Sequence, residues 1–366
     1  MMHINVLCER DMNGKPHGCS NIRLLRPLNH ESLEKLVHVN SDIKLSEKTA
    51  DVVIVERWWK PSLTESDARS LIQEIRARNS TFIYTLDDNL LDLGDAEASM
   101  PPPENINRIV RYFLREADGV IVSTPALKMR LSRLANNIIV IPNALDETLW
   151  LKMNAVEKLY SNFESSELGK ITVGYMGTKT HSSDFDMLIE PLRRLLARHP
   201  NRIRLQVIGV SSEQERFSKI FGNKIEFFDP GYSDHYEKFV PWFRKTVKWD
   251  IGLAPLTEHP FNLYKSDIKL LDYGIAGIPG IFSSIGPYSE SVLHKETGIL
   301  TDNHPDSWFE AMNMLVENEP MRKRIAENVK DYVLSKRILK VCAVDWYSTI
   351  KLIHDNRLSS STNQVV

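Results

Sequence analysis

The chain has 366 residues, of which 42% are hydrophobic and 26% are charged, a balance that excludes a disordered or fibrous protein. This length is enough for two domains of ordinary size, each with its own core. The formal net charge of −2 at pH 7 provides no general attraction to nucleic acid, so we predict no nucleic-acid partner.

Short β-branched runs alternate with amphipathic stretches through the first half, which is the pattern of βαβ units and a parallel sheet. The amphipathic stretches place apolar residues at three- and four-residue spacing, as helices do. The pattern predicts a Rossmann-like domain over residues 1–150. Its strands are predicted at Ile4–Cys8, Val52–Glu56, Thr81–Leu86, Gly119–Ser123 and Ile138–Ile141, with helices that include Ser66–Arg78 and Ile106–Glu116.

A linker is predicted between Trp150 and Gly169, where no regular strand pattern is found and a polar run occurs. A second α/β series follows and predicts another Rossmann-like domain over residues 170–340, with C-terminal helices after it. Strands are predicted at Ile171–Tyr175, Ile203–Gly209, Ile225–Phe228, Ile251–Pro255 and Gly280–Ser283. Helices are predicted at about Asp184–Ala197, Tyr236–Trp242, Ser266–Ala276, Trp308–Glu317, Met321–Leu334 and Asp345–His354. Two such domains predict a ligand site in the cleft between them, beyond the carboxyl ends of the strands.

The strongest local signal lies in residues 262–279. Ser266 is a suitable N-cap, and Lys265 directly precedes it. The helix N-terminus, the serine hydroxyl and the lysine ammonium are the groups that a phosphate site uses. Asp272 shares a helical face with Lys269 and is a candidate to accept hydrogen bonds from a ribose diol. The alternative is an ordinary surface helix with solvated side chains.

A weaker signal begins in the strand predicted at the start of the second domain. A Gly-x-x-Gly turn ends at Gly177 and is followed by Thr178, Lys179 and a predicted helix. Small residues let the backbone approach a ligand, and a helix start favours negative charge. The turn lacks the dinucleotide and P-loop patterns, which disfavours NAD or ATP.

Polar residues also follow the strands of the first half. His17 and Gly18 lie in a Gly- and Pro-punctuated loop, where His17 is either a catalytic or substrate-orienting group or a solvated histidine. Asp87 and Asp88 end a predicted strand, where they either cap a turn or orient substrate hydroxyls, with a metal site as the weakest alternative. The one Asp-x-Asp, Asp184 to Asp186, opens a predicted helix and is interpreted as capping it rather than binding metal.

These segments in their order resemble the GT-B glycosyltransferases, specifically the large retaining, family 4-like group of bacterial cell-surface polysaccharide assembly. Residues 117–124 and 139–146 look like the end of that group's acceptor domain, and 173–178 look like the first strand and glycine turn of its donor domain. The donor-binding helix and the elements after it are matched by 265–279, 283–288 and 297–300. The resemblance covers nearly the whole chain.

The resemblance implies a GT-B fold, in which two facing Rossmann-like domains enclose a deep interdomain cleft. Residues 1–150 would form the acceptor domain and 170–340 the donor domain, with a C-terminal helix (345–358) packing back on the first. Donor contacts are implied for Gly177, Thr178, Lys179, Lys265, Ser266 and Asp272, acceptor contacts for Gly18, Asp87 and Asp88, and catalytic roles for His17 and Lys265.

Asp272 matches the second acid of the family's spaced pair. The first acid of that pair is replaced by Tyr264, and Glu258 and Asp267 are the nearby carboxylates that are candidates to substitute for it.

The implied reaction moves a sugar from a nucleoside-diphosphate sugar to a saccharide or lipid-linked saccharide, in polysaccharide or lipopolysaccharide biosynthesis, with retention of configuration. No metal and no cofactor beyond this co-substrate is expected, because protein cations would stabilise the leaving diphosphate. The later helices of the first half are basic and form either a solvated face or a contact with an anionic membrane surface. Their basic residues are Arg108, Arg111, Arg115, Lys128, Arg130 and Arg133.

Other classes of function stay open at this point. One is a non-catalytic carbohydrate-binding or scaffold subunit of a polysaccharide assembly complex, and another is a nucleotide-sugar hydrolase or epimerase. The three scattered cysteines and the absence of a long apolar run or signal-peptide pattern favour a cytoplasmic protein, with any membrane contact peripheral and at the inner face.

Overall fold

The structure is a computed structural model that describes residues 1–11, 14–93, 102–151, 169–177, 182–209, 213–231 and 236–362. By its internal contacts the chain divides into two units. The first comprises Met1–Asp146, Tyr264–Ser266 and Ile338–Val366, and the second comprises Glu147–Leu263 and Asp267–Arg337. Each unit contains one parallel six-stranded sheet with helices, so the prediction of two α/β Rossmann-like sheets is confirmed.

The first sheet has the strand order β2-β1-β3-β4-β5-β6, and all of its neighbouring strands are parallel. The order reverses between β1 and β3, and ligands of open α/β sheets bind beyond the carboxyl ends of the strands at such a point. The strands are β1 (Met2–Leu7), β2 (Val37–Asp42), β3 (Val52–Glu56), β4 (Thr81–Leu86), β5 (Gly119–Val122) and β6 (Ile138–Val140).

Helices connect these strands. A reciprocal capping box explains where the second of them begins: the Thr64 side chain accepts from the Asp67 N–H, and the Asp67 carboxylate accepts from the Thr64 N–H. The described helices between β1 and β6 are α1 (the consecutive pieces Gly18–Ser20, Asn21–Leu25 and Arg26–Leu28), α2 (Glu65–Ala77), α3 (Ile106–Glu116) and α4 (Pro125–Leu131).

The second sheet has the order β12-β11-β10-β7-β8-β9, again with parallel neighbours, and its order reverses between β7 and β10. Its strands are β7 (Ile171–Gly177), β8 (Ile203–Gly209), β9 (Ile225–Phe228), β10 (Ile251–Ala254), β11 (Gly280–Ser283) and β12 (Ile299–Thr301). The helices described with it are α5 (Glu147–Trp150), α6 (Ser182–Asp186), α7 (Ile189–Arg198), α8 (Gln214–Phe221), α9 (Tyr236–Thr246), α10 (Ile268–Ile275), α11 (Gly286–Ser291), α12 (Pro305–Glu317) and α13 (Glu319–Lys336).

The last helix, α14 (Leu339–Thr362), belongs to the first unit. Its buried Ile350 and Ile353 join the core formed by β1 and β3. A Cβ on Gly119 of β5 would lie 2.5 Å from the Ile353 side chain, so only glycine allows the helix to approach this strand so closely. In the part of the chain that the structure describes, no helix is both long and apolar enough to cross a membrane.

Several elements differ from the sequence prediction, among them two strands and one helix. Strands β2 and β12 were not predicted, because β2 alternates with exposed polar residues and β12 has only three residues. The single helix predicted over Asp184–Ala197 is two helices, α6 and α7. Pro191 explains the second start, because a proline lacks an N–H group and is accepted in the first turn of a new helix.

Candidate functional site

In the second unit, the residues of interest lie on α10. This helix begins at Ile268, two residues later than the sequence predicted, so Ser266 is not its N-cap. The residue at the N-cap position is Asp267, whose side chain does not cap the helix. Its two carboxylate oxygens instead accept hydrogen bonds from Nη1 and Nη2 of Arg337, at 2.8 Å each. Gly277 follows the end of the helix with a φ of +70°, a left-handed conformation that is common for the glycine after a helix.

Lys269 and Asp272 lie one turn apart on α10, and both are buried. Nζ of Lys269 lies 5.2 Å from the centre of the Tyr175 ring, so this face of α10 meets β7 close to its carboxyl end. Oδ1 of Asp272 is buried and has no hydrogen-bond partner among the described residues. A buried carboxylate oxygen without a partner is costly, and a donor from a bound ligand would satisfy it.

Burial also changes the titration of this carboxyl group. It raises the pKa of Asp272 to about 7, and the nearby positive charge of Lys269 opposes that rise. Asp272 was predicted to contact donor, whereas Lys269 was not among the predicted site residues. The signal that could have identified Lys269 is its three-residue spacing from Asp272, which places both on one helix face.

The other predicted donor residues are placed as follows. Gly177 is the last residue of β7 and pairs with Gly209 of β8. Lys265 and Ser266 are half-buried and are grouped with the first unit by the internal contacts. Thr178 and Lys179 lie outside the described residues. The structure therefore brings Gly177 and Asp272 into one unit, and their donor contacts stay a prediction.

The two carboxylates considered as substitutes for the missing first acid differ in their surroundings. Asp267 is engaged by Arg337 through both oxygens, which gives it a structural partner. Glu258 is exposed on the segment after β10. Tyr264, at the position of the missing acid, is half-buried.

In the first unit, a buried cluster of charged side chains lies at the carboxyl ends of β1, β3 and β4. Its centre is Arg57, the residue after β3, which has a left-handed backbone with a φ of +47°. The guanidinium donates to Asp87 at 2.6 Å and to Asp88, and it lies 3.6 Å from Glu9. Non-glycine residues rarely adopt such a φ, and strain of this kind is often found at functional sites.

A second part of this cluster surrounds Glu56, the last residue of β3. Its Oε2 accepts a hydrogen bond from the Ser20 hydroxyl of α1, and Oε1 has no hydrogen-bond partner among the described residues. Burial and the negative charge of Asp87 raise the pKa of Glu56 to about 8, and the positive charge of Arg57 opposes this rise. Glu56 therefore carries a proton for much of the time at neutral pH.

The predicted acceptor residues lie at or beside this cluster. Asp87 and Asp88 are both held by Arg57, and Gly18 is the first residue of α1. Nδ1 of His17 accepts from the Cys19 N–H at 3.5 Å and caps α1. Acceptor contact and catalysis by these residues stay predictions. Sequence reasoning missed Glu9, Glu56 and Arg57, although each stands at or just after the end of a predicted strand.

No group of three or more His, Cys, Asp or Glu side chains that could hold a metal ion is found within the described ranges. The two acids of the Asp-x-Asp have separate protein partners. Asp184 accepts from the Thr257 N–H at 2.7 Å, and Asp186 pairs with Arg216 at 2.8 Å. Asp184 lies in the first turn of α6 while its carboxylate also binds the segment after β10, and its interpretation as a helix cap stays a prediction.

Residues 170–318 match the family described as "Glycosyl transferases group 1". Two curated relatives are D-inositol 3-phosphate glycosyltransferases. The protein from Corynebacterium diphtheriae is 20% identical over 234 residues, which are 61% of this chain and 48% of the relative. The protein from Jonesia denitrificans is 20% identical over 141 residues, which are 38% of this chain and 33% of the relative. The chain thus matches less than half the length of each.

Solved structures with the same fold cover more of the chain. HepE of Anabaena, solved in complex with UDP and glucose, is 15% identical, with a TM-score of 0.65 over 96% of this chain and 100% of that one. A glycosyltransferase from Rickettsia africae is 14% identical, with a TM-score of 0.65 over 96% and 98%. Sucrose-phosphate synthase from Thermosynechococcus elongatus is 16% identical, with a TM-score of 0.62 over 84% and 74%.

Residues 170–318 thus match the group 1 glycosyltransferases, and the two sheets give the chain the GT-B fold of solved glycosyltransferases.

Proposed function

We propose that the protein transfers a sugar from a nucleoside-diphosphate sugar to a saccharide or lipid-linked saccharide. The observation that carries this proposal is the buried Asp272, whose Oδ1 has no hydrogen-bond partner among the described residues. It lies on α10, inside the segment that matches the group 1 glycosyltransferases. A ribose diol would supply the hydroxyl donors that this oxygen requires.

The donor site we propose lies at the carboxyl end of the second sheet, where the strand order reverses between β7 and β10. Gly177 ends β7 and would let the diphosphate approach the backbone, and Thr178 and Lys179 follow it in the sequence. Lys269 is a further candidate donor contact because it is buried one turn before Asp272. UDP is the first nucleotide to test, because HepE was solved with it.

The proposed reaction breaks the bond between the anomeric carbon and the diphosphate oxygen, which keeps the electron pair. An acceptor hydroxyl forms the new bond and passes its proton to the departing diphosphate. The enzyme must stabilise the charge that develops on the diphosphate, and the ammonium groups of Lys265 and Lys179 are the proposed partners. With such cations no metal is required. Retention of configuration follows from the resemblance to the family 4-like enzymes.

On the acceptor side, we assign His17, Gly18, Asp87 and Asp88 to substrate contact. Their place at the carboxyl edge of the first sheet, next to the reversal between β1 and β3, supports this assignment. We further propose a role in polysaccharide or lipopolysaccharide biosynthesis at the cytoplasmic face of a membrane, with peripheral contact through the basic helices.

The test is a thermal-shift screen of UDP, GDP, dTDP, ADP and CMP, with and without EDTA. We expect one nucleoside diphosphate to stabilise the wild type regardless of EDTA. Asp272→Asn should lose most of this shift, whereas the matched control Asp331→Asn, on the exposed face of α13, should keep it. No shift with any nucleotide at millimolar concentration would contradict the proposal.

Tyr264 at the position of the missing first acid favours a second candidate, a non-catalytic carbohydrate-binding subunit. Consumption of a nucleotide sugar by the purified protein would exclude it. Consumption that needs no acceptor would indicate a hydrolase or an epimerase, whereas dependence on a saccharide acceptor would support the transferase.

A further inference from the structure

A small pocket lies between α2 and α3 of the first unit, on residues that the proposed transfer reaction does not use. It has a volume of about 260 Å³. Four arginines line it against a single glutamate, with one tyrosine at its wall. The lining residues are Glu65, Ala68, Arg69, Arg108, Ile109, Arg111, Tyr112 and Arg115.

The positive charge of this pocket is only partly compensated. Arg108 lies 3.5 Å from Glu65, and Arg115 lies 3.0 Å from Glu116, a carboxylate beside the pocket. Over the described residues, no carboxylate lies within 4.0 Å of Arg69 or Arg111. The whole chain carries a formal charge of −2, so this concentration of positive charge contrasts with the rest of the protein.

Two of the arginines are held by the same aromatic ring. The guanidinium carbons of Arg69 and Arg115 lie 5.0 and 5.3 Å from the centre of the Tyr112 ring. This cation–π stacking orients both guanidinium groups around one ring, and a stacked guanidinium keeps N–H donors at its edges that can bind an anion.

We propose that the pocket between α2 and α3 binds a phosphate group through Arg69, Arg108, Arg111 and Arg115. Guanidinium groups bind phosphate through paired, charge-assisted hydrogen bonds, and all the basic residues of the pocket are arginine rather than lysine. The Tyr112 hydroxyl adds a neutral donor. The pocket is small, and its volume of about 260 Å³ fits one anionic group rather than the backbone of a nucleic acid.

The phosphate has two sources that the test separates: a soluble phosphorylated compound, or the head group of an anionic lipid. The first arm titrates inorganic phosphate against the protein at constant ionic strength and follows thermal stability. The second arm measures co-sedimentation with vesicles of a zwitterionic phospholipid, with or without phosphatidic acid, whose head group is a phosphate monoester.

The test variant is Arg69→Gln/Arg111→Gln. The matched control is Arg193→Gln/Arg324→Gln, which removes two exposed arginines of the second unit and changes the net charge equally. Loss of two charge-assisted contacts should weaken binding of phosphate or of phosphatidic acid vesicles about tenfold or more, and the control should bind as the wild type does. A second test variant, Arg108→Gln/Arg115→Gln, should weaken binding similarly.

Response to inorganic phosphate in solution would identify a soluble ligand, and response to vesicles alone would identify a lipid head group. Equal binding by the test and control variants would overturn the proposal, as would a wild type that responds in neither arm. The nucleoside-diphosphate shift is measured in parallel on each variant. This nucleotide shift should be unchanged in Arg69→Gln/Arg111→Gln. The experiment therefore tests phosphate binding by the pocket independently of nucleotide binding at the proposed donor site.

Discussion

Arg337 holds Asp267 through a bidentate ion pair in which Nη1 and Nη2 each donate to one carboxylate oxygen at 2.8 Å. Both side chains are buried, with 11% and 9% of their surfaces exposed. Asp267 directly precedes α10 and Arg337 directly follows α13, and the two helices pack on each other. We infer that the pair fixes where α10 begins and thereby positions Lys269 and Asp272.

Arg337→Met should lower the free energy of unfolding by about 3 kcal/mol or more, because it leaves the Asp267 carboxylate buried without its partner. Urea unfolding followed by tryptophan fluorescence measures this change. The matched control is Arg194→Met, which removes an ion pair with Asp306 whose side chains are 37% and 65% exposed. Its cost should stay below about 1 kcal/mol.

A double-mutant cycle tests the inference further. Asp267→Asn/Arg337→Met should cost less than the sum of the two single substitutions, because each one already breaks the pair. Strict additivity would show that the two residues act independently and would contradict the role assigned to the pair.

Asp272 should make stability depend on pH. Its pKa is about 7 in the folded protein, raised by burial from an ordinary value of 3.8, so the folded state binds the proton more tightly than the unfolded state. The wild type should therefore lose stability, on the order of a few kcal/mol, as the pH rises from about 4 to about 7. Asp272→Asn should show a correspondingly flatter profile in urea unfolding between these values.

The same group should make nucleotide binding depend on pH if it accepts from a ribose diol, because the ionised carboxylate is the better acceptor. Affinity of the wild type should then rise by up to about tenfold between pH 6 and pH 8, measured by calorimetry. Asp272→Asn should bind more weakly at both values and without this trend. If nucleotide affinity rose equally with pH in Asp331→Asn and Asp272→Asn, a group other than Asp272 would cause the pH dependence.

The sheets of both units were predictable because β-branched runs bury both faces of their strands. Val52–Glu56 and Thr81–Leu86 have the predicted bounds. Val37–Asp42 was missed because of its alternation with exposed polar residues, which is typical of an edge strand. The beginning of α10 was misplaced because a tertiary contact decides it: Ser266 is the better local cap, but the Arg337 that binds Asp267 lies 70 residues further along the chain.

The candidate site was only partly predictable for a related reason. Asp87, Asp88 and Asp272 stand out in the sequence because acids at strand ends and on helix faces are recognisable patterns. The burial of Glu56 and the left-handed backbone of Arg57 depend on residues far away in the sequence, among them Ser20 and Asp87. No local pattern separates such a cluster from ordinary surface charges at the end of a strand.

Arg57→Met should destabilise the protein by about 3 kcal/mol or more at pH 8, because it leaves the carboxylates of Glu9, Asp87 and Asp88 without their common partner. The loss should be smaller at pH 5, because Arg57 lowers the pKa of Asp87 and this carboxylate takes up a proton more readily once the guanidinium is gone. Arg57→Lys keeps the charge but not the forked geometry, so its stability should lie between that of the wild type and that of Arg57→Met. Equal losses at pH 5 and pH 8 in urea unfolding would show that packing, rather than charge, explains the effect.

Glu56 provides the last prediction, because burial raises its pKa to about 8 from an ordinary value of 4.5. The folded state therefore binds this proton more tightly than the unfolded state does, and the stability that it contributes is lost as the pH rises from about 4.5 through about 8.

Glu56→Gln removes the titration but keeps the size of the side chain, so its free energy of unfolding should change less than that of the wild type over this range. At pH 9 the variant should be the more stable protein. Glu56→Ala, which leaves a cavity beside Ser20, should be destabilised at every pH. A Glu56→Gln profile parallel to that of the wild type would mean that Glu56 is ionised in the folded protein at neutral pH, with Arg57 and the Ser20 hydroxyl compensating its charge.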